Sequence, residues 1–203
     1  PKYVKNYAGL TSIPDDIPPY ETWVELSGNS ISSINGELDH LSYLSLIFLS
    51  YNDFTTFPNL TTVKDTVYSL SLRGNHITNF TGVFEDFPSL TYLSLGPGKE
   101  MMTEFPDISP LADTLKNFSI SGDYFTPNFF ISDFGVVDLT MMNQLESFYV
   151  SRAVELTTFP RFGLNNSLKT LYLRETKIAN ITEDDIYPLQ KLEGLTIDEA
   201  HDL

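Results

Sequence analysis

From Leu44 to Phe57 the chain reads LSLIFLSYNDFTTF, and its apolar positions keep neither of the two periods of regular secondary structure. Leu44, Ile47, Leu49, Asn52, Phe54 and Phe57 fall three, two, three, two and three residues apart. A helix would repeat every 3.6 residues and a half-buried strand every 2. The mixed spacing predicts a short strand that runs into a turn at Asn52. The same spacing returns from Glu21, Leu44, Val67, Leu90, Leu115, Leu145, Leu168 and Leu192, at intervals of 23, 23, 23, 25, 30, 23 and 24 residues. Eight registers along nearly the whole chain make this an internal repeat.

The spacing, LxxLxLxxNxLxxL, resembles that of leucine-rich repeats. The resemblance implies an α/β solenoid: a curved horseshoe with a parallel sheet on the concave face and irregular or 3-10 connections on the convex face. Residues 1–203 are read as one domain, with a cap-like segment at 1–20 and about eight repeats from 21 to 203, irregular at 98–144. The third unit, Val67 to Phe80, is almost regular; the seventh, from Leu168, differs in placing Thr176 where the Asn belongs.

Val4 to Ile34, VKNYAGLTSIPDDIPPYETWVELSGNSISSI, resembles the N-terminal cap and first repeat of extracellular leucine-rich repeat proteins. That likeness implies a short edge strand, then a GLTSIP-like segment at Gly9 to Pro14, Ile17-Pro18-Pro19, and a first strand at Val24 to Leu26. The family's cap usually carries disulfide-bonded cysteines; here Asn6 stands near where one is expected.

Position nine of the repeats reads Asn29, Asn52, Asn75, Gly98, Asp123, Ala153, Thr176 and Ala200. An inward Asn there is expected to bond backbone groups of its own turn and the next, sparing about 1–3 kcal/mol for each buried group satisfied. The ladder is intact in three repeats and degraded afterwards, so the second half should have more distorted turns. Among the connections, Val83 to Leu90 resembles a form in which a Phe pair packs inward from a short helical or 3-10 turn. MMTEFPDISPLADTL, with Pro106 and Pro110, should be extended and turn-rich. The longest connection, Phe125 to Leu145, holds Phe129, Phe130, Ile131, Phe134, Val136 and Val137. Two readings apply: extra core under a long connection, or an exposed apolar patch for a partner. The last unit has no capping repeat, which implies more protein beyond Leu203 or a partner over that end.

Twelve basic against 27 acidic residues give a net charge of −15. That balance argues against a nucleic-acid partner and an anionic membrane surface. No apolar run approaches the ~18 residues of a membrane helix. The start at Pro1, with no signal-peptide h-region, reads as a mature product or an excised piece. The absence of cysteine removes disulfides, thiolate catalysis and cysteine–zinc clusters. Asn59, Asn79, Asn117, Asn165 and Asn180 each open an N-x-S/T sequon, where about two or three would arise by chance. The excess points to a secreted or cell-surface glycoprotein; a cytoplasmic scaffold is the competing placement.

Catalytic chemistry has no support in the sequence: His40, His76 and His201 are scattered, and no metal-ligand spacing, G-x-S-x-G elbow or phosphate-cradling loop occurs. Neither an enzyme nor a cofactor or metal site is expected. Side chains at positions two, three, five, seven and eight should point away from the core. On that face lie Trp23, Leu46, Phe48, Tyr51 and Tyr92 in the first four repeats, with Tyr149 and Tyr172 further on. It also holds Arg73, Lys116, Arg152, Lys169 and Arg174, five of the twelve basic residues. The expectation is an aromatic subsite beside a basic one, read as a surface for an unidentified protein ligand in extracellular binding or adhesion. Asn117 stands on the same face, where a glycan would block part of it. A structural role, with self-association through Phe129–Val137 or the C-terminal end into a matrix or filament, is the alternative.

Overall fold

The computed structural model describes residues 1–199; the position-nine residue Ala200, His201 and the two residues after it lie outside the described residues. Nine short strands form one parallel sheet in strict chain order. They are β1 (Lys2–Val4), β2 (Trp23–Glu25), β3 (Leu46–Phe48), β4 (Ser69–Ser71), β5 (Tyr92–Leu95), β6 (Asn117–Ser121), β7 (Ser147–Ser151), β8 (Thr170–Thr176) and β9 (Gly194–Glu199). The register is set by the repeat: third-position residues Trp23, Leu46, Ser69, Tyr92, Asn117, Ser147, Thr170 and Gly194 stand in one row. A one-residue slip would turn the buried fourth and sixth positions to solvent, so burial pins the register. Those positions hold Val24, Ile47, Leu70, Leu93, Phe118, Phe148 and Leu171, and Leu26, Leu49, Leu72, Leu95, Ile120, Val150 and Leu173, all buried.

β1 extends the row by one coil, with Lys2 beside Trp23 and Tyr3 beside Val24. Asn6 ties the first coil to the next by hydrogen bonds. Its Nδ2 donates to Glu25 Oε1 at 2.7 Å, and its Oδ1 accepts from the Ser27 N–H at 2.8 Å. Ile13 and Ile17 are buried beneath the first coils. At the other end Leu195 is 44% exposed, although its counterpart Leu171 is fully buried.

The asparagine ladder runs opposite to the expected direction. Each side chain bonds its own turn and the preceding one, not the next. Asn52 Oδ1 accepts from the Ile31 N–H, and its Nδ2 donates to the Leu26 and Leu49 carbonyls. Asn75 repeats this with Phe54, Leu49 and Leu72. Where Gly98 breaks the ladder, buried Asn128 reaches in from the long connection, donating to the Gly98 carbonyl and accepting from the Asp123 N–H.

The convex side is built from turns, two 3-10 turns at Ser109–Leu111 and Leu139–Met141, and one short helix, α1 (Glu183–Ile186). Phe84 and Phe87 pack inward from a turn, joining Phe57 and Phe80. The segment around Pro106 and Pro110 is not wholly extended: Pro110 lies inside the first 3-10 turn, where its missing N–H costs nothing. The long connection serves the core. Phe129, Ile131 and Phe134 are buried and Phe130 and Val137 half-buried, leaving Val136 exposed. Phe129–Val137 is therefore not an apolar docking face, because its large side chains already fill the solenoid.

Position eight carries a second regularity in most coils. Tyr7, Gly28, Tyr51, Gly74, Arg152 and Glu175 all adopt the left-handed conformation, with φ between 50° and 75°. Tyr51 lies over Gly74, so a Cβ there would meet the ring at 2.4 Å, and Tyr7 covers Gly28 in the same way. Gly74→Ala is expected to cost about 1–3 kcal/mol through backbone strain alone. Part of any further loss should return in the Tyr51→Ala background, where the ring is gone; thermal melts of the single and double variants measure both terms.

Candidate functional site

The strands are three to seven residues long, so few side chains on each can face outward, and the sheet sums them across coils. At the N-terminal end Trp23 and Phe48 meet edge to face at 5.6 Å, and Lys2 Nζ sits 3.7 Å over the indole. One face of Trp23 is thus already covered. The Trp23 indole nitrogen is buried without a hydrogen-bond partner among the described residues. Leu46 and Phe48 are half-buried beside it.

Further along, Tyr92, Tyr149 and Tyr172 define a different surface. Tyr92 on β5 and Tyr149 on β7 wall a depression of about 330 Å³, floored by Asn117, Ser119 and Ser147 with Phe118 beneath. Tyr149 and Tyr172 lie 5.2 Å apart. The slot exists because β6 carries only small polar outward groups between two tyrosine-bearing strands. Asn117 lines its floor, and Tyr68, at the second position of its repeat, is a further exposed aromatic residue that the sequence reading passed over.

Three of the five basic residues on this face are ion-paired. Lys169 pairs with Glu146 at 3.3 Å, Arg174 with Asp198 at 2.9 Å, and Arg152 with Glu175 at 3.4 Å. Each pair joins the same repeat position on adjacent coils, so strand stacking offsets the charge of these three residues. The Asp198 carboxylate and the Tyr172 hydroxyl hold the Arg174 pKa above its ordinary value. Tyr51 stands on the downstream rim with Arg73 5.9 Å from its ring. At the other end Lys2, with help from Asn6, holds the Glu25 carboxyl below the usual glutamate range.

The remaining candidates are dispersed. His40 bonds the Ile17 carbonyl, and His76 lies 3.4 Å from Asp53 while accepting from the Lys99 N–H. Among the described residues no group of three or more His, Cys, Asp or Glu is placed to hold a metal ion. Glu183, Asp184 and Asp185 form the first turn of α1, where negative charge suits the helix start. Asn59, Asn79, Asn165 and Asn180 are exposed on turns and connections, and Asn117 is half-buried on β6. Asn59 and Asn79 each accept from the backbone N–H of the Thr two residues on. No helix among the described residues is long and apolar enough to cross a membrane.

No family model matches the chain. A stretch of 101 residues, 48% of the chain, is 33% identical to the human leucine-rich repeats and immunoglobulin-like domains protein 3 and spans 9% of that protein. The solved functional domain of InlJ from Listeria monocytogenes, which includes a cysteine ladder, superposes with a TM-score of 0.57 at 19% identity, over 85% of this chain and 38% of that one. A leucine-rich repeat protein of Leptospira interrogans gives 0.60 at 16% identity, over 93% of this chain and 52% of that one. The chain thus spans only part of each of these proteins, and it has no cysteine with which to build such a ladder. With the eightfold repeat, the asparagine turns and the nine parallel strands among the described residues, these likenesses give the chain the leucine-rich repeat fold.

Proposed function

We propose that the chain is a non-enzymatic recognition module that binds a protein ligand on its concave face, in an extracellular setting. The tyrosine slot between β5 and β7 carries this reading. Tyr92 and Tyr149 are 39% and 37% exposed, and exposed tyrosines on a rigid sheet bury much area for little lost side-chain entropy. The floor of Asn117, Ser119 and Ser147 offers hydrogen-bond groups without filling the space. A parallel repeat scaffold suits this task, because outward residues vary while the fourth and sixth positions hold the core. The extracellular setting rests on the sequons. A glycan on Asn117 would fill the slot, so the reading requires that side chain to be unmodified.

The experiment is capture of the partner by the isolated solenoid, followed by affinity measurement with variants. Tyr92→Ala and Tyr149→Ala should each weaken binding by about thirtyfold, the level of a hot-spot residue. Loss of less than twofold in both would remove the concave slot from the binding surface.

A further inference from the structure

Two guanidinium groups converge on one serine hydroxyl at the downstream lip of the concave face. Arg73, beyond the end of β4, brings Nη2 to 3.5 Å from Ser121 Oγ; Arg152, beyond the end of β7, brings Nη1 to the same atom at the same distance. Ser121 is buried, accepts from the Ser151 hydroxyl at 2.7 Å and donates to the Gly122 carbonyl. The arginines reach it across glycines. A Cβ on Gly96 would stand 3.1 Å from Arg73 Cγ, and one on Gly122 3.1 Å from Arg152 Cβ.

Both forks are underused. A guanidinium has five N–H donors, and its bonds to an anionic oxygen run to about 2.7–2.9 Å. Among the described residues the two 3.5 Å contacts to Ser121 are the only hydrogen bonds these side chains donate. Arg152 is offset by Glu175, whereas Arg73 has no carboxylate within ion-pair distance among the described residues. The cluster therefore carries a local excess of one positive charge in a chain of net charge −15. Like charges brought together repel, and a shared anion would relieve that repulsion. Tyr51 flanks Arg73, and Tyr124 stacks on Arg152 at 4.6 Å, so aromatic rings border both guanidinium groups.

We infer that Arg73 and Arg152 form a clamp for a single carboxylate, supplied by an acidic side chain of the protein ligand. One excess charge matches a monoanion, and two planar forks match the two oxygens of a carboxylate. The identity of the carrier rests on the concave-face reading; the clamp itself does not.

The test uses the chain alone, with sodium acetate as probe. Arginine side-chain Nε–H signals are followed by NMR at constant ionic strength in acetate, chloride and sulfate. Acetate should shift the Arg73 and Arg152 signals saturably. The shift should vanish in R73Q, weaken at least tenfold in R73K, which keeps the charge but loses the fork, and tighten severalfold in E175Q, which removes the competing carboxylate. Melting curves establish that each variant is folded. An acetate response no different from chloride, a response that survives in R73Q, or saturation by sulfate alone would overturn the clamp. None of those outcomes touches the tyrosine slot, whose test is loss of partner affinity in Tyr92→Ala and Tyr149→Ala.

Discussion

Asn52→Ala is expected to lower the unfolding free energy by about 3–5 kcal/mol, far more than its few lost atoms suggest. The side chain serves the Ile31 N–H and the Leu26 and Leu49 carbonyls, three groups on two turns, and is itself only 2% exposed. Each buried group left unpaired costs about 1–3 kcal/mol, and partial entry of water keeps the total below the sum of the maxima. Asn52→Asp should be comparably damaging, because a carboxylate has no N–H for the two carbonyls and adds a buried charge. Urea denaturation measures the loss as a lower midpoint at unchanged slope. Asp123→Ala, at the same repeat position, should cost about 1 kcal/mol or less, since among the described residues its carboxylate accepts only from the exposed Phe125 and Thr126 N–H groups of its own turn. Equal losses at Asn52 and Asp123 would show that the ladder contributes nothing beyond ordinary turn formation.

Phe148→Ala should cost about 3–5 kcal/mol, by lost transfer energy and by the cavity left behind. Its ring is fully buried, with the rings of Phe162, Phe118, Phe134 and Phe105 at 5.4, 5.6, 6.0 and 6.2 Å. These neighbours come from β6, the two convex segments on either side of β7 and the Pro106 segment, so the site cannot collapse by moving one element. Each strand pairs only with its neighbours in the sheet, and the damage should stay local. Hydrogen exchange is the appropriate readout: amides of β6, β7 and β8 should lose protection while those of β2 and β3 keep theirs. Uniform loss across the sheet would mean that the solenoid unfolds as a single unit.

The core was legible because its code is local. Leucine spacing marks positions four and six in every coil, and burial admits no other register. The first coil was less visible, since β1 shows only Tyr3 to the core between Lys2 and Val4. The aromatic residues of the face could be named from repeat position, but not their division. Trp23 is half enclosed by Lys2 and Phe48, whereas Tyr92 and Tyr149 stand apart because β6 between them is small and polar. The ion-pairing of Lys169, Arg174 and Arg152 has a readable reason. Same-position residues of consecutive repeats lie side by side, so Lys169 beneath Glu146 or Arg174 beside Asp198 follows from writing the repeats in register. The Arg73–Ser121–Arg152 convergence spans four strands and depends on two side chains bending across glycines. One-dimensional spacing does not encode those paths.

The left-handed residues at position eight set the grain at which this molecule can be edited. Tyr7 over Gly28 and Tyr51 over Gly74 match a large group on one coil to a missing side chain on the next. Excising the coil that contains Gly28 would bring Tyr7 against Tyr51, and duplicating the coil of Tyr51 would stack two tyrosines where there is room for one. Removing or copying two adjacent coils preserves the alternation. In the N-terminal half the unit of growth, by recombination or by design, is therefore a pair of repeats, although the leucines alone would have allowed one.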